Sequence, residues 1–265
     1  MKFIAQTSVD GVSERLFTLG DIPGVLWTPA GADAPRPLIL LGHGGGQHKT
    51  APGMVARGRR YAANCGFAAV SIDAPGHGDR PRTGAEEQWV ARLRELMAAG
   101  QPVGDHVAEH NAALAAEAVP EWQAVLDALQ EAGLLADGGP VGYWGVSLGT
   151  AIGLPLVAAD PRIGAAVFGC LGDDSLTEAA ARVTVPVEFL LQWDDTLVPR
   201  ESGLALFDAL ASPQKSLHAN SGDHLAVPRF EVDSAERFFL RHLTQGAGPG
   251  RPDKPELVDG GKAGR

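Results

Sequence analysis

The chain has 265 residues, 45% of them hydrophobic, and a formal net charge of −10. That length and apolar content suit one large α/β domain with a buried core and exclude a globally disordered chain. The acidic balance excludes a nucleic-acid or anionic-membrane surface, which would repel it, and no run approaches the ~20 apolar residues of a membrane span.

In chain order, Phe3, Ile4, Leu16, Phe17, Val25, Leu26 and Trp27 are separated by turn residues such as Asp10-Gly11 and Gly20-Asp21. This pattern predicts two or three antiparallel strands. MKFIAQTSVDG contains no apolar leader core, so a cytoplasmic protein is expected. PLILLG (37–42) is a continuous apolar run, as in a strand buried on both faces. MVARGRRYAANCG (54–66) has helical spacing and a glycine suited to a C-cap. FAAVSIDAPG (67–76) is a second buried strand, VGYWGVSLG (141–149) a third strand running into a turn, and TAIGLPLVAA a helix. IGAAVFGC (163–170), VPVEFLLQW (185–193) and QKSLHAN (214–220) supply further strands, and LALFDAL (204–210) and VDSAERFFLRHL (232–243) amphipathic helices. Strands alternating with helices predict right-handed crossovers and a mostly parallel central sheet flanked by helices. Residues 77–118 form a long excursion with helical content, expected to be a lid or cap. The tail, 245–265, is rich in glycine, proline and charge and is expected to be disordered.

Gly145-Val146-Ser147-Leu148-Gly149 matches G-x-S-x-G between a buried strand and an apolar helix, the context in which a sharp turn lifts a serine hydroxyl clear of a sheet. A serine hydroxyl needs a general base, and the base needs an orienting acid. Of the histidines after Ser147, His242 lies within the last amphipathic helix and His218 within a strand. His224 sits in the turn NSGDHLAVP and is the expected base. EFLLQWDDTLVP presents Asp194 and Asp195 past an apolar run, and the D-x-x-V-P spacing favours Asp195 as the acid, with Asp194 and Asp223 as alternatives. Strand 37–42 ends in His43-Gly44-Gly45-Gly46, where backbone N–H groups can meet a developing oxyanion. Gly45, with Gly46, and Leu148 at a helix N-terminus are the expected donors, and His43 is expected to hold the loop.

HGGG, DAPGHG (73–78), GVSLG, DDTLVP and GDHLAVP, in this order over about residues 13 to 243, resemble the α/β-hydrolase superfamily. Within it the chain is similar to small esterases related to dienelactone hydrolases and prolyl-oligopeptidase-like hydrolases. The resemblance implies an α/β-hydrolase fold with a short helical lid insertion. It also implies a serine esterase acting on small soluble carboxylic esters through a covalent acyl-enzyme. True dienelactone hydrolases carry a cysteine nucleophile, so Ser147 favours general ester hydrolysis. Thioesterase, amidase or peptidase activity on the same residues is the alternative.

No cofactor and no metal are expected, and the partner is a small-molecule ester bound by a monomer or homodimer. His77, Trp89, Trp144 and Trp193 are candidate substrate-lining residues, with Trp144 also readable as core; Asp79, Arg80, Arg82, His106 and His110 are further polar residues of the excursion. His106-Val107-Ala108-Glu109-His110 spells H-x-x-E-H, an inverted zinc-hydrolase motif. It is read as a chance match, because a serine hydrolase accounts for the rest of the chain. A non-enzymatic binding module would leave a full set of catalytic parts without a role. Cys65 and Cys170, far apart in sequence, read as two reduced thiols.

Overall fold

The computed structural model describes residues 1–31, 34–224 and 226–244, so the tail expected to be disordered lies outside the described residues. Three antiparallel strands open the chain: β1 (Lys2–Val9), β2 (Val12–Leu19) and β3 (Ile22–Pro29). The strands β4 (Leu38–Gly42), β5 (Ala68–Ile72), β6 (Val141–Gly145), β7 (Ile163–Gly169), β8 (Val187–Gln192) and β9 (Lys215–Asn220) are parallel to one another. They form one nine-stranded sheet in the order β1-β2-β3-β5-β4-β6-β7-β8-β9, with β3 antiparallel to β5. Every residue of β4, β5 and β6 is buried, as their unbroken apolar runs require of strands covered on both faces.

The covering helices are α1 (Pro52–Cys65), α2 (Gly84–Ala98), α3 (Gly104–Glu131), α4 (Leu148–Ala159), α5 (Thr177–Ala180), α6 (Arg200–Ala209) and α7 (Phe230–Thr244). Two apolar clusters result, one on each face. Leu26, Leu40, Val70, Trp122, Tyr143, Ile152 and Phe168 belong to one, while Trp27, Ile39, Tyr61, Trp144, Val167, Leu190 and Phe239 belong to the other. No helix among the described residues is long and apolar enough to cross a membrane.

The expected excursion does not end at residue 118. Helix α3 runs on to Glu131, and Leu114, Ala115, Ala118, Trp122, Val125, Leu126 and Leu129 are buried against the sheet side of the fold. Its second half is therefore an ordinary covering helix, even with Pro120 inside it. What stands off the body is α2, which buries no residue, and the first turns of α3. Helix α2 starts at a capping box in which the Thr83 hydroxyl accepts from the Glu86 N–H while the Glu86 carboxylate accepts from the Thr83 N–H.

Candidate active site

Parallel strands deliver their following loops to one edge of the sheet, and the four loops after β4, β6, β8 and β9 converge there. The turn after β6 is the tightest. Ser147 has φ 56° and ψ −119°, a strained conformation for a residue with a side chain. Gly149 permits it, because a Cβ there would lie 2.5 Å from the Gly42 carbonyl oxygen at the end of the neighbouring β4. The elbow is also fastened from below. The Ser147 N–H donates to the Gly169 carbonyl at 2.9 Å, the Tyr143 hydroxyl donates to the Gly149 carbonyl at 2.6 Å, and the Thr150 hydroxyl accepts from the Gly169 N–H at 2.9 Å.

The structure brings Ser147, His224 and Asp195 together. His224 Nε2 lies 3.1 Å from Ser147 Oγ, and His224 Nδ1 lies 2.7 Å from Asp195 Oδ2. A carboxylate only accepts, so the Nδ1–H donates to Asp195 and leaves Nε2 to accept from the serine hydroxyl. The other oxygen, Asp195 Oδ1, accepts the N–H groups of Leu197 at 2.8 Å and Val198 at 3.0 Å. That is the physical content of the D-x-x-V-P spacing: the following backbone wraps the carboxylate and fixes its second oxygen toward the histidine.

The two alternative acids have different partners. Asp194 Oδ2 accepts from the Gly222 N–H across the gap at 3.0 Å. Asp223 Oδ1 accepts the Thr196 N–H, the Thr196 hydroxyl and the His224 N–H at 2.9, 2.8 and 2.7 Å. These bonds, led by the Thr196 N–H, hold the Asp223 carboxyl below its usual pKa. Asp194 and Asp223 thus stitch the loop that carries Asp195 to the loop that carries His224, a role that residue order along the chain did not disclose.

The loop after β4 is built around His43. Its Nε2 accepts from the Ala74 N–H at 3.1 Å, which puts the ring proton on Nδ1, 2.9 Å from the Gly44 carbonyl it donates to. Burial lowers its pKa from 6.5 to about 4, so the ring is neutral at pH 7. The Gly44 carbonyl also accepts from the Gln47 N–H, closing a turn over Gly45 and Gly46, and Gly46 takes φ 71°, as the third position of a type II turn requires. Gly45 and Gly46 are exposed beside the elbow, and the Leu148 N–H opens α4 with no acceptor inside its own helix.

The same loop is latched a second time by Lys49. Its Nζ donates to Asp73 Oδ2 at 2.7 Å and also pairs with Asp79, and its backbone N–H donates to Asp73 Oδ1 at 2.7 Å. Burial opposes the charge on Asp73, but the hydrogen bonds from Lys49 and Asp79 outweigh it and lower its pKa. Arg80 forms a two-pronged pair with Glu121 of α3. Residues 73–80, DAPGHG with the Asp79 and Arg80 that follow it, are therefore a structural hub joining the glycine loop, the sheet and α3.

The substrate-lining candidates divide. Trp144 does not line the site: its indole is 3% exposed, packs in the core and lies under the Arg57 guanidinium at 3.8 Å. Trp193 is 44% exposed beside the acid loop, with Arg200 over its ring. His77 lies 5.3 Å, ring to ring, from His43. Trp89 is stacked against His106 and His110 at 5.2 and 3.7 Å, and its Nε1 donates to the His106 carbonyl at 3.1 Å. The H-x-x-E-H residues thus clasp Trp89, and Glu109 is exposed away from any metal-competent cluster among the described residues. Cys65 and Cys170 are free thiols, both pushed up to about 12 by burial.

A groove of about 550 Å³ lined by Asp10, Arg57, Arg59, Arg60 and Arg229 shares no residue with the Ser147 constellation. No family model and no curated protein matches the chain. Among solved structures it is similar, over 92% of its own length and 100% of the other chain, to a cold-adapted esterase from an Arctic intertidal metagenomic library, at 35% identity and a TM-score of 0.73. A dienelactone hydrolase from Anabaena variabilis, 20% identical, has the same fold with a TM-score of 0.61 over 90% of this chain and 98% of its own. An acetyl xylan esterase from Paenibacillus sp. R4, 16% identical, aligns over 91% of this chain and 88% of its own at a TM-score of 0.61. With similarity at 35% identity over 92% of its length to the whole of an esterase chain, and a mostly parallel sheet of this order, the chain belongs to the esterases of the α/β-hydrolase fold.

Proposed function

We propose that the protein hydrolyses carboxylic esters of small soluble substrates through a covalent acyl-enzyme, with Ser147 as nucleophile, His224 as general base and Asp195 as the orienting acid. The observation that carries this reading is the unbroken line of hydrogen bonds from Ser147 Oγ through the His224 ring to Asp195 Oδ2, at 3.1 and 2.7 Å. In the first half-reaction Ser147 Oγ attacks the ester carbonyl and passes its proton to His224 Nε2, and the C=O electron pair moves onto oxygen. Collapse of this tetrahedral oxyanion expels the alcohol, which takes the proton from His224. Water then repeats the sequence on the acyl-serine, releasing the carboxylic acid and restoring the serine. The oxyanion is met by the N–H groups of Leu148 and of Gly45, with Gly46 beside it. Each such donor is worth about 3 kcal/mol of barrier.

The neutral His43 supports this arrangement, since it fixes the glycine loop without adding a charge beside the oxyanion. Trp193 and Leu197, 44% and 52% exposed, flank Asp195 and offer an apolar rim to the acyl or alcohol group. Trp89 holds α2 against the start of α3 as the candidate cap. The test is Ser147→Ala against p-nitrophenyl acetate and butyrate. Loss of about a millionfold in kcat is expected, together with loss of the one-to-one adduct that a phosphonate forms on wild type. Turnover by the alanine variant within tenfold of wild type would end the proposal.

A further inference from the structure

Away from the Ser147 constellation, three residues distant in sequence meet where α7 crosses β8 and β9. Glu188 near the start of β8 pairs in register with Ser216, and Leu190 with His218, so Glu188 and His218 lie diagonally on one face of the sheet. Glu231, in the first turn of α7, comes down on the same face. Each of the three offers one ligand atom, and these atoms all lie within 4.8 Å of one another. Glu188 and Glu231 are 3% and 4% exposed. A carboxyl group at that depth either takes up a proton or needs compensating charge.

Part of the compensation is visible. His218 Nδ1 is 2.8 Å from Glu231 Oε2, the Asn220 amide donates to Glu231 Oε1 at 2.9 Å, and the Ser234 hydroxyl donates to Glu188 Oε2 at 2.9 Å. Glu188 Oε1, however, is buried and meets no hydrogen-bond partner. The Tyr61 hydroxyl, on which the charge of Glu188 also acts, is likewise buried without a partner. Between His218 Nε2 and Glu188 Oε2 the gap is 3.6 Å. That is too long for a hydrogen bond. Arg237, the cation acting on this cluster, is already on its rim in α7.

From this geometry we infer that Glu188, His218 and Glu231 form a zinc-class metal site, structural in role and separate from the esterase centre. One imidazole nitrogen with two carboxylate oxygens selects a borderline transition-metal ion; calcium and magnesium prefer an all-oxygen shell. A divalent ion neutralises the two carboxylates, gives Glu188 Oε1 a partner and leaves a fourth position for water. His218 and Glu231 bracket the segment that carries His224, so the ion clips the two ends of the base-bearing loop.

Chelator-stripped protein titrated with zinc chloride by calorimetry tests the site. One equivalent should bind, and Tm should rise by about 5 °C at a hundredfold excess over Kd. Glu188→Gln and His218→Gln should each weaken binding at least tenfold, with circular dichroism checking their folds. His224→Ala and Ser147→Ala should leave stoichiometry and affinity unchanged, which separates this site from metal captured by the catalytic histidine. Absence of zinc binding, undiminished binding in the folded Glu188 or His218 variants, or loss of binding in His224→Ala would overturn the site. If Glu188→Gln does not fold, His218→Gln and His224→Ala still decide. An equal response to calcium chloride would overturn the zinc-class assignment. The esterase reading is tested independently, through Ser147.

Discussion

The backbone at Ser147 sits at φ 56°, a conformation that costs a residue with a side chain about 1–3 kcal/mol and glycine much less. Glycine elsewhere is usually less stable than alanine by about 0.5–1 kcal/mol, because it loses more freedom on folding. At this position the order should reverse: Ser147→Gly should unfold at a higher denaturant concentration than Ser147→Ala, although neither turns over ester. An alanine variant equal or superior in stability would show that the elbow stores no strain. The neighbouring acids allow an equally sharp comparison. Asp195→Asn should lower kcat about 10⁴-fold, because an amide cannot hold the His224 tautomer as a carboxylate does. Asp194→Asn keeps an acceptor for the Gly222 N–H and should cost less than tenfold. That Ser147, Asp195 and His224 meet was legible because Ser147 and Asp195 follow the buried apolar runs of β6 and β8 and the order of the three along the chain is constrained; His224 follows the half-exposed β9 and was legible from its place in a turn. Asp194 and Asp223 were not, because their bonds cross between loops and no local spacing encodes such a contact. Trp144 shows the converse limit: an aromatic at a strand end reads the same whether its ring faces a pocket or the core, and here Arg57 covers it.

Among the elements, the parallel strands were the easiest to read, since burial on both faces leaves an unbroken apolar run. The excursion before β6 was harder. Helix α3 changes from exposed to buried along its length without a break in helical spacing, so the point where cap becomes scaffold near Asn111 is set by tertiary packing alone. Helix α2 buries no residue and depends on its capping box and on Trp89 held by His106 and His110. Elements of this kind open locally at little cost, independently of the global transition. Trp89→Ala should therefore speed tryptic cleavage at Arg92 and Arg94 severalfold while leaving Tm within about 2 °C of wild type. A matching fall in Tm would mean that α2 folds as one cooperative unit with the sheet. The Glu188, His218 and Glu231 cluster was invisible in the sequence for a related reason: β8, β9 and α7 meet there only once the sheet order is set.

At the scale of the molecule, the buried pair of Lys49 and Asp73 ties the glycine loop to the sheet, and its two ends set opposite limits on stability. Asp73 is held below the ordinary aspartate pKa of about 3.9, so its contribution is complete above that pH and is lost as the pH falls through the lower folded value. Lys49 is resisted by burial, yet its bonds to Asp73 and Asp79 raise its pKa. Its contribution is complete below about 10.4 and is lost only as the pH rises beyond that toward the folded value. Asp160, paired with Arg162, is also depressed and adds to the acid limb alone. Burial also holds His43 neutral down to about pH 4 and the Cys65 and Cys170 thiols protonated up to about pH 12. Stability therefore falls below the unfolded histidine value of about 6.5 and above the unfolded thiol value of about 8.5, and should be level only between about pH 7 and 8. Lys49→Met removes one partner and leaves Asp73 as a buried, uncompensated charge, which costs about 3–5 kcal/mol at pH 7. The deficit should shrink toward pH 3, because the variant's Asp73 takes up a proton more readily and stops resisting burial, while wild type loses the ion pair it depends on. Denaturant unfolding of both proteins at pH 3.5, 5 and 7 measures this. A deficit that stays constant across the series would show that Lys49 acts through the packing of its stem and not through its charge.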